Sequence, residues 1–269
     1  MMIPRVLSIA GSASQGSAGI QADLKTFEEH NVYGMSAVTA LVANNSVTDT
    51  GVFTQPVESV QAQVHASMEH VGADALKTGM LFTKEIIEAT AELLKRYKQV
   101  PYVLDPVMIG KMGTQLLKEE AVESLKEELI PLAAVITPNL QEAGKLLGRR
   151  ASETIEEMER DVKQLHSFGA DYVLLKGGGL SDYPAVDLLF DGTEVKEYRS
   201  ERIDTIHTSG AGCTYSASIA AGLAKGLPMD RAVEEAKYFV TEAIRHALSF
   251  GEGIGSTYHA AERIFGRKR

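Results

Sequence analysis

The chain has 269 residues, of which 44% are hydrophobic and 23% charged, and its formal net charge at pH 7 is −9. This length accommodates one large α/β domain or two small ones, and it buries a full core without disulfides. Nucleic-acid-binding faces are rich in lysine and arginine, whereas the basic cluster found here is the terminal Arg-Lys-Arg. We therefore expect no nucleic-acid partner.

The compartment is predicted from one cysteine and from the absence of long apolar segments. A lone thiol forms no internal disulfide and fits a reducing cytoplasm. The apolar stretch at the amino terminus is too short for a signal peptide. No segment approaches the roughly 18 apolar residues of a membrane span. The sequence therefore predicts a cytoplasmic protein with no membrane segment.

Short apolar runs alternate with amphipathic helical patterns along the chain. The runs predicted as strands are 5–11, 35–42, 73–79, 102–107, 134–139, 172–177 and 186–192. The predicted helices between them are 21–30, 57–71, 84–97, 119–129 and 154–168, and two more follow at 216–226 and 230–248. This succession predicts βαβ units and a mainly parallel sheet covered on both faces. The predicted fold class is α/β, a three-layer αβα domain that spans residues 1–269.

Polar or glycine-rich turns follow several of the predicted strands. In open sheets of this kind, ligands bind outside the carboxyl ends of the strands, so these turns share one edge. Gly11 and Gly16 have the spacing of a P-loop, but Ser17 and Ala18 stand where its lysine and hydroxyl residue belong. The Gly251–Gly253–Gly255 run lacks the strand that precedes a dinucleotide fingerprint. The sequence therefore predicts neither a P-loop nor a dinucleotide-binding fingerprint.

The stretch 208–214, "TSGAGCT", lies directly before a helical pattern and after a segment, 202–208, that fits a strand or a turn. Backbone N–H groups at a helix start favour anions, and glycine lets the backbone approach them closely. The alternative is a helix start with small residues for packing, and the stretch alone leaves both open. The predicted anion donors are Gly210, Ala211, Gly212 and Cys213.

Charged and amide side chains close three predicted strands. Asp105 ends the strand in "YVLDPV", and Lys176 ends the one in "YVLLKG". Asn139 and Glu142 follow the strand in "AVITPN" with the spacing of a capping box, which is one interpretation of that pair. Acids at neighbouring strand ends also suit a Mg²⁺ held partly through water and phosphates, and a lysine there is a counter-charge for polyphosphate. Together they indicate phosphoryl transfer without a P-loop.

Eight stretches carry a resemblance to a known family: "SIAGSASQGSAGIQADLKTFEE", "YGMSAVTALVANNS", "ALKTGMLF", "VLDPVMIGKMG", "ITPNLQEAGKLLG", "VLLKGGG", "DLLFDG" and "TSGAGCTYSASIAAGLAKG". They are similar to the hydroxymethylpyrimidine and phosphomethylpyrimidine kinases of thiamin synthesis, and equally to bacterial pyridoxal kinases, within the ribokinase-like superfamily. The resemblance runs nearly end to end. It implies a ribokinase-like fold, ATP as co-substrate, Mg²⁺ as cofactor and a homodimer.

The resemblance also implies roles for individual residues. The stretch 210–213 is similar to the family's hole for the transferring phosphoryl group, with Cys213 where sugar kinases of the superfamily carry a catalytic aspartate. The implied metal-associated acids are Asp105 and Glu142. The implied ATP-binding residues are Asn139, Lys176, Lys237 and Val240. The implied residues around the heteroaromatic ring are Gly11, Asn44, Met80 and Val107. The loop "GKMG", residues 110–113, resembles part of a lid.

Several positions depart from the family's usual pattern. Ala13 stands where an acid is usual, Asn44 where pyrimidine kinases have glutamine, and Ser209 where a histidine is usual. The segment 109–111 offers no second cysteine of the kind that engages an aldehyde in a subset of the pyridoxal kinases. The ending "GEGIGSTYH" differs from the usual "GPVNH". These changes fall around the substrate and the lid, so kinase activity is better supported than the identity of the substrate.

Cys213 has two possible roles at the helix start. A position there is expected to lower the pKa of the thiol, so that it takes the proton of the substrate hydroxyl. In a loose phosphoryl-transfer transition state this proton transfer contributes little, and positioning is the alternative role.

The leading hypothesis is an ATP- and Mg²⁺-dependent kinase of hydroxymethylpyrimidine and its monophosphate, because the amide of Asn44 suits a pyrimidine with an amino group. A pyridoxal or pyridoxine kinase is the runner-up. A ligand-binding relative that has lost turnover is the alternative from another class. Ala13 and Ser209 favour it. The residues that oppose it are Asp105, Glu142, Lys176 and Cys213.

Overall fold

The computed structural model describes residues 3–108, 117, 119–180 and 183–266. Its strands, in chain order, are β1 (Arg5–Ala13), β2 (Tyr33–Val42), β3 (Val52–Thr54), β4 (Ala75–Thr78), β5 (Tyr102–Leu104), β6 (Val135–Ile136), β7 (Tyr172–Lys176), β8 (Ala185–Phe190) and β9 (Val195–Ser200). Its helices are α1 (Ile20–Glu29), α2 (Val57–His70), α3 (Lys84–Leu94), α4 (Glu119–Ser124), α5 (Leu140–Leu146), α6 (Ile155–His166), α7 (Ala211–Ala224), α8 (Met229–Arg245) and α9 (Ala261–Phe265). A π-helical turn (Leu125–Leu129) follows α4, and 3₁₀ turns lie at Lys95–Tyr97 and Ile130–Leu132. The predicted lid segment, 110–113, lies outside the described residues.

The nine strands of the described residues form one sheet in the order β3-β2-β1-β4-β5-β6-β7-β8-β9. The central strands from β2 to β7 pair in parallel, whereas β3, β8 and β9 pair antiparallel at the two sides. The prediction of a mainly parallel sheet is confirmed. The chain leaves β1 towards β2 on one side and later reaches β4 on the other, so the carboxyl ends of β1 and β4 border a crevice where the strand order reverses.

Alternate residues of the buried strands supply two separate cores. On β1, Leu7 and Ile9 join a core with α2 to α6, whereas Val6 joins another with α1, α7 and α8. Leu174 on β7 likewise points to the second core while its neighbours point to the first. Because side chains alternate between the faces of a strand, a continuous apolar run fills both sides of the sheet. The three-layer αβα prediction is therefore confirmed.

Two strands, the short helix α9 and one connection differ from the sequence-based expectation. The short strand β3, the edge strand β9 and the helix α9 were not predicted, and no strand forms in the segment 202–208, which connects β9 to α7. On β9 the charged side chains of Lys196, Glu197 and Arg199 are exposed or half-buried around the buried Tyr198, which is the pattern of an edge strand. Within the described ranges, no helix has the length and apolar character needed to cross a membrane.

Candidate active site

The first two turns of α7 face the carboxyl ends of β5 and β7. Ser216 Oγ donates a hydrogen bond to Asp105 Oδ2 at 3.1 Å. Lys176 Nζ lies 3.3 Å from the position that a Cβ on Gly212 would occupy. The helix start, the aspartate and the lysine therefore meet at one edge of the sheet, as their positions after parallel strands predicted.

The backbone of the helix start offers fewer donors than the sequence suggested. The N–H of Ala211 donates to Thr208 O at 3.2 Å, so this group is engaged within the chain. Among the described residues, the N–H groups of Gly210, Gly212 and Cys213 meet no acceptor. These unpaired donors, at the positive end of the α7 dipole, are suited to bind an anion.

Lys176 and Asp105 form an ion pair at the floor of this edge. Lys176 Nζ lies 3.2 Å from Asp105 Oδ1, and their side chains are 13% and 3% exposed. Thr137 Oγ1 also donates to Asp105, at 3.4 Å. Burial raises the pKa of Asp105, but the positive charges of Lys176 and Lys77 outweigh burial and hold this pKa below its ordinary value. Asp105 is therefore ionised at neutral pH.

Asn139 and Glu142 begin α5 as a reciprocal capping box. The Asn139 side chain accepts from the N–H of Glu142 at 2.9 Å, and the Glu142 carboxylate accepts from the N–H of Asn139 at 2.8 Å. Burial raises the pKa of Glu142 to about 7, because the opposing effect of Lys176 is smaller and Asp105 adds repulsion. The capping interpretation is confirmed, and it leaves a buried carboxylate whose charge is only partly compensated.

The donor set fits a hard cation that is completed from outside the protein. Within the part of the chain that the structure describes, no cluster of three or more histidine, cysteine, aspartate or glutamate side chains could hold a metal. Asp105 and Glu142 are two buried carboxylates that repel one another, which is a cost that a divalent cation would relieve. Mg²⁺ commonly uses one or two carboxylates and takes its other ligands from water and phosphate.

The environment of Cys213 contradicts the expected low pKa. Burial raises the pKa of its thiol to about 11, and the nearby charge of Lys77 and the N–H of Gly19 lower it only in part. The N–H of Gly19 donates to Cys213 Sγ at 3.4 Å. The expectation considered only the local helix end, whereas loss of solvent around the sulfur is the larger effect. The thiol is therefore protonated at neutral pH.

The predicted ring-binding residues separate into a joined pair and two others. A Cβ on Gly11 would lie 2.5 Å from Met80 Cε, so the glycine on β1 and the methionine after β4 touch across the crevice. Val107 lies just after Asp105, to whose carbonyl its N–H donates. Asn44 follows β2, is exposed, and packs its side-chain oxygen against Gly51. The structure brings together Gly11 and Met80 and leaves Asn44 on the rim.

Lys237 and Val240 lie on α8 and are mostly buried. Lys237 Nζ forms an ion pair with Asp187 Oδ2 at 2.6 Å. Asp187 Oδ1 in turn accepts from the N–H of Gly177, the residue after Lys176. Val240 is 5% exposed and belongs to the core between α7, α8 and the sheet. The structure thus connects Lys237 to the Lys176 turn through Asp187.

One charged pair near the site was not identified from the sequence. Lys77 on β4 and Asp23 on α1 are both fully buried, and Lys77 Nζ lies 2.8 Å from each carboxylate oxygen. Ser8 Oγ donates to the same carboxylate at 2.6 Å. In sequence, "ALKTG" and "QADLK" suggest a lysine at a strand end and an exposed helix acid, so a pairing across 54 positions gave no local signal.

An anion-binding helix start, a lysine and two buried carboxylates at the carboxyl edge of a parallel sheet define a class, the α/β phosphotransferases. Comparison with known proteins places the chain within this class. The profile of the family described as phosphomethylpyrimidine kinase matches residues 13–258. The chain belongs to the phosphomethylpyrimidine kinase family.

Named relatives include kinases of two kinds of substrate. The chain is 45% identical to a pyridoxine kinase of Bacillus subtilis over 98% of both chains. It is 44% identical to a hydroxymethylpyrimidine/phosphomethylpyrimidine kinase of the same organism, over 97% of this chain and 96% of the relative. The crystal structure of a Bacillus subtilis pyridoxal kinase in complex with ADP superposes with a TM-score of 0.92 at 43% identity, covering 98% of this chain and 100% of that one. The fold is ribokinase-like, as the resemblance implied.

Proposed function

We propose that the chain transfers the γ-phosphoryl group of ATP to the hydroxyl of hydroxymethylpyrimidine and to the phosphate of its monophosphate. The observation that carries this proposal is the meeting of Gly212, Lys176 and Asp105 at one point, with the ammonium 3.3 Å from the would-be Cβ of Gly212. A phosphoryl group held by the helix start there has a cation on its flank and a carboxylate beneath it. Membership in a kinase family supports the same reaction.

The chain's own residues have separable roles in this proposal. The N–H groups of Gly212 and Cys213 hold the oxygens of the transferring group, and Lys176 compensates their charge. Cys213 orients the attacking hydroxyl rather than removing its proton, because a thiol with a pKa of about 11 is a protonated group at neutral pH. A loose transition state needs little base catalysis, so positioning suffices.

Mg²⁺ would be held by Asp105 and Glu142, through water and the phosphates of ATP, and would supply neutralisation of phosphate charge. Asp105 enters this role already ionised, whereas Glu142 must lose its proton. Asp105 follows β5 and Glu142 lies in the first turn of α5, so the protein contributes two carboxylates rather than a closed cage.

Pyridoxal or pyridoxine is a second candidate substrate, favoured by the 45% identity to a pyridoxine kinase and by the superposition with a pyridoxal kinase. The pyrimidine ranks first because Asn44 presents an amide, which donates to one ring atom and accepts from an exocyclic amine. Pyridoxal has a phenolic oxygen at the corresponding edge.

We further propose a homodimer, a single domain and a cytoplasmic location. Leu41 and Phe53 form a cross-strand pair on β2 and β3, at one side of the sheet, and are 44% and 47% exposed. Val47, in the adjoining loop, is 89% exposed, and such an apolar patch supports pairing with a second copy. The nine strands share one sheet, which supports one domain. The lone cysteine supports a reducing compartment.

The test is substrate-dependent ADP release with hydroxymethylpyrimidine, its monophosphate, pyridoxal and pyridoxine. We expect the highest kcat/KM with the pyrimidine, and equal treatment of a Gly212→Val preparation controls for contaminating kinases. Higher kcat/KM with pyridoxal would instead establish the second candidate. Binding without ADP release from any of the four would support a relative that has lost turnover.

Asn44→Met checks the ranking of the two rings. Leaving a ring polar group unpaired costs about 1–3 kcal/mol, so kcat/KM for the pyrimidine should fall roughly ten-fold, while pyridoxal is affected less. A variant that keeps the pyrimidine activity and loses that on pyridoxal would reverse the ranking.

A further inference from the structure

Two loops that are far apart in sequence touch at the mouth of α7. One is the turn between β1 and α1, and the other is the segment that leads into α7. Ser209 Oγ donates a hydrogen bond to Ser17 Oγ at 3.0 Å. Gly19, two residues after Ser17, donates its N–H at 3.4 Å to Sγ of Cys213, which lies four residues after Ser209 in the first turn of α7. The hydroxyl pair and the sulfur contact therefore join the same two loops.

Two glycines permit this close contact. Gly210 has φ +84°, and a Cβ there would collide with the carbonyl oxygen of Ser17. Gly19 has φ +61°, and a Cβ there would collide with the carbonyl oxygen of Gly11. Because Gly19 and Gly210 have positive φ and no side chain, the β1–α1 turn can pack between β1 and the start of α7. The backbone that comes close to Gly210 is thus that of the β1–α1 turn, at Ser17.

Each loop is also held from behind. Lys25 Nζ donates to Gly16 O at 2.7 Å, and the N–H of Asp23 donates to Gly19 O at 3.0 Å, which fastens the turn to α1. On the other side, the carbonyl of Ser209 accepts from the N–H of Thr257 at 3.1 Å. The hydroxyl pair is therefore the link made by two side chains between loops that are separately anchored, and the Gly19–Cys213 contact lies beside it.

We propose that Ser17 and Ser209 are positioning residues for Cys213: their hydroxyl pair holds the β1–α1 turn against the start of α7, so that Gly19 fixes the orientation of the thiol. The proposal rests on the proposed function for the role of Cys213 in facing the substrate hydroxyl. It adds that the ring side of the site, which includes Gly11, and the phosphate side are held together by this contact. Loss of the hydroxyl pair would let the turn lift and would leave the sulfur accessible and less ordered.

The lone cysteine makes the contact measurable, because every thiol signal comes from Cys213. The experiment is the rate of reaction with 5,5′-dithiobis(2-nitrobenzoate), a bulky disulfide, on the full chain without nucleotide or substrate. Ser17→Ala and Ser209→Ala should each raise this rate roughly two- to ten-fold, the range that one hydrogen bond supplies. The double variant should match either single variant, because all three lack the same bond.

Two control variants make the test specific. Ser167→Ala removes an exposed hydroxyl that donates to Gln164 O at the end of α6, and it should leave the rate unchanged. Ser209→Thr retains a hydroxyl and should restore the slow reaction, which distinguishes the bond from a general loosening of the fold. In turnover, the alanine variants should lower kcat by a similar factor and leave KM for ATP unchanged.

Unchanged thiol rates in the alanine variants, additive effects in the double variant, or an equal acceleration in Ser167→Ala would each overturn the proposal. The thiol reaction needs no substrate, so it gives the same answer whichever compound the chain phosphorylates. Failure of the proposed function would appear in the ADP-release assay alone.

Discussion

Two lysine–aspartate pairs lie close to the carboxyl edge of the sheet, and they differ in burial and in the geometry of the ion pair. In the pair of Lys77 and Asp23, both side chains are fully buried and the ammonium is 2.8 Å from each carboxylate oxygen. In the pair of Lys176 and Asp105, one oxygen lies 3.2 Å from the ammonium, and the lysine is 13% exposed.

This difference separates a structural pair from a functional one. A buried ion pair offsets its loss of hydration only when its geometry is good and its remaining polar atoms are bonded, as Asp23 is by Ser8. In the pair at the edge, Asp105 is held by Lys176, Thr137 and Ser216, and the partly exposed Lys176 ammonium is the group that can exchange its contact for a phosphate. The interior lysine is thus fixed in its ion pair, whereas Lys176 remains available to a ligand.

The largest expected effects come from substituting Lys77 and Lys176, which should change different properties of the protein. Lys77→Met leaves Asp23 buried without its counter-charge, which should lower the free energy of unfolding by about 3–5 kcal/mol. Lys176→Met should lower the free energy of unfolding by less than half of that amount, because Asp105 keeps its hydroxyl donors. The kcat of this variant should nevertheless fall at least about 100-fold. Urea unfolding and steady-state kinetics measure the two quantities.

A paired substitution controls for simple loss of packing. Lys77→Met combined with Asp23→Asn removes both charges, and it should regain most of the lost free energy of unfolding. Equal destabilisation by Lys77→Met and Lys176→Met would mean that the two pairs do not differ in kind.

Gly212→Val sharpens the distinction at the edge. A Cβ there approaches Lys176 Nζ at 3.3 Å, and the valine methyl groups occupy the space that we assign to the phosphoryl group. We expect kcat to fall roughly 10²- to 10³-fold with the fold retained, as seen by circular dichroism. In Gly212→Ala, kcat should fall less, because the Lys176 ammonium can move away from a single methyl group. Near wild-type kcat in the valine variant would remove the anion hole from this position.

The layered fold could be predicted because its signal is local. Runs such as Val173, Leu174 and Leu175 are apolar at every position, which indicates a strand buried on both faces. The edge strand β9 lacks that signal, since its exposed face carries Glu197 and Arg199. The proximity of Asp105 and Lys176 could be predicted because parallel strands place their carboxyl ends at the same edge of the sheet.

The electrostatics of the site could not be predicted in the same way. The pairing of Lys77 with Asp23 and the partial burial of Cys213 depend on contacts between residues that lie 54 or more positions apart. A helix start alone predicts a lowered thiol pKa, whereas the assembled site raises it. The contact of Ser17 with Ser209 is likewise set by tertiary structure.

Glu142 provides a smaller effect with a defined pH window. Its pKa is about 7 in the folded protein, above the ordinary value of 4.5, so the folded state holds a proton that the unfolded chain has lost between these values. Stability from this group is complete below pH 4.5 and is lost as the pH rises to about 7. Glu142→Gln keeps the capping acceptor, and urea unfolding from pH 5 to 8 should show a shallower decline than in the unsubstituted protein.

The sign of that difference is the test. A decline of the same slope in Glu142→Gln would mean that Glu142 is ionised throughout the range, as Asp105 is. Titration with Mg²⁺ is the companion measurement, since apparent affinity should increase with pH up to about 8 in the unsubstituted protein only.

The smallest expected effect concerns a third pair, which combines features of the other two. Lys237 and Asp187 are 11% and 3% exposed and lie 2.6 Å apart, and Asp187 also accepts from Gly177 N–H at 3.0 Å. Lys237→Met leaves Asp187 with that backbone donor, so the free energy of unfolding should fall by about 1–3 kcal/mol, less than for Lys77→Met. Because Gly177 follows Lys176, a displaced turn should also lower kcat/KM roughly three- to ten-fold. Asp187→Asn keeps an acceptor for Gly177 and is the matched variant for the kinetic effect. A stability loss as large as that of Lys77→Met, with unchanged kinetics, would mean that the Lys237–Asp187 pair has a purely structural role, like the Lys77–Asp23 pair.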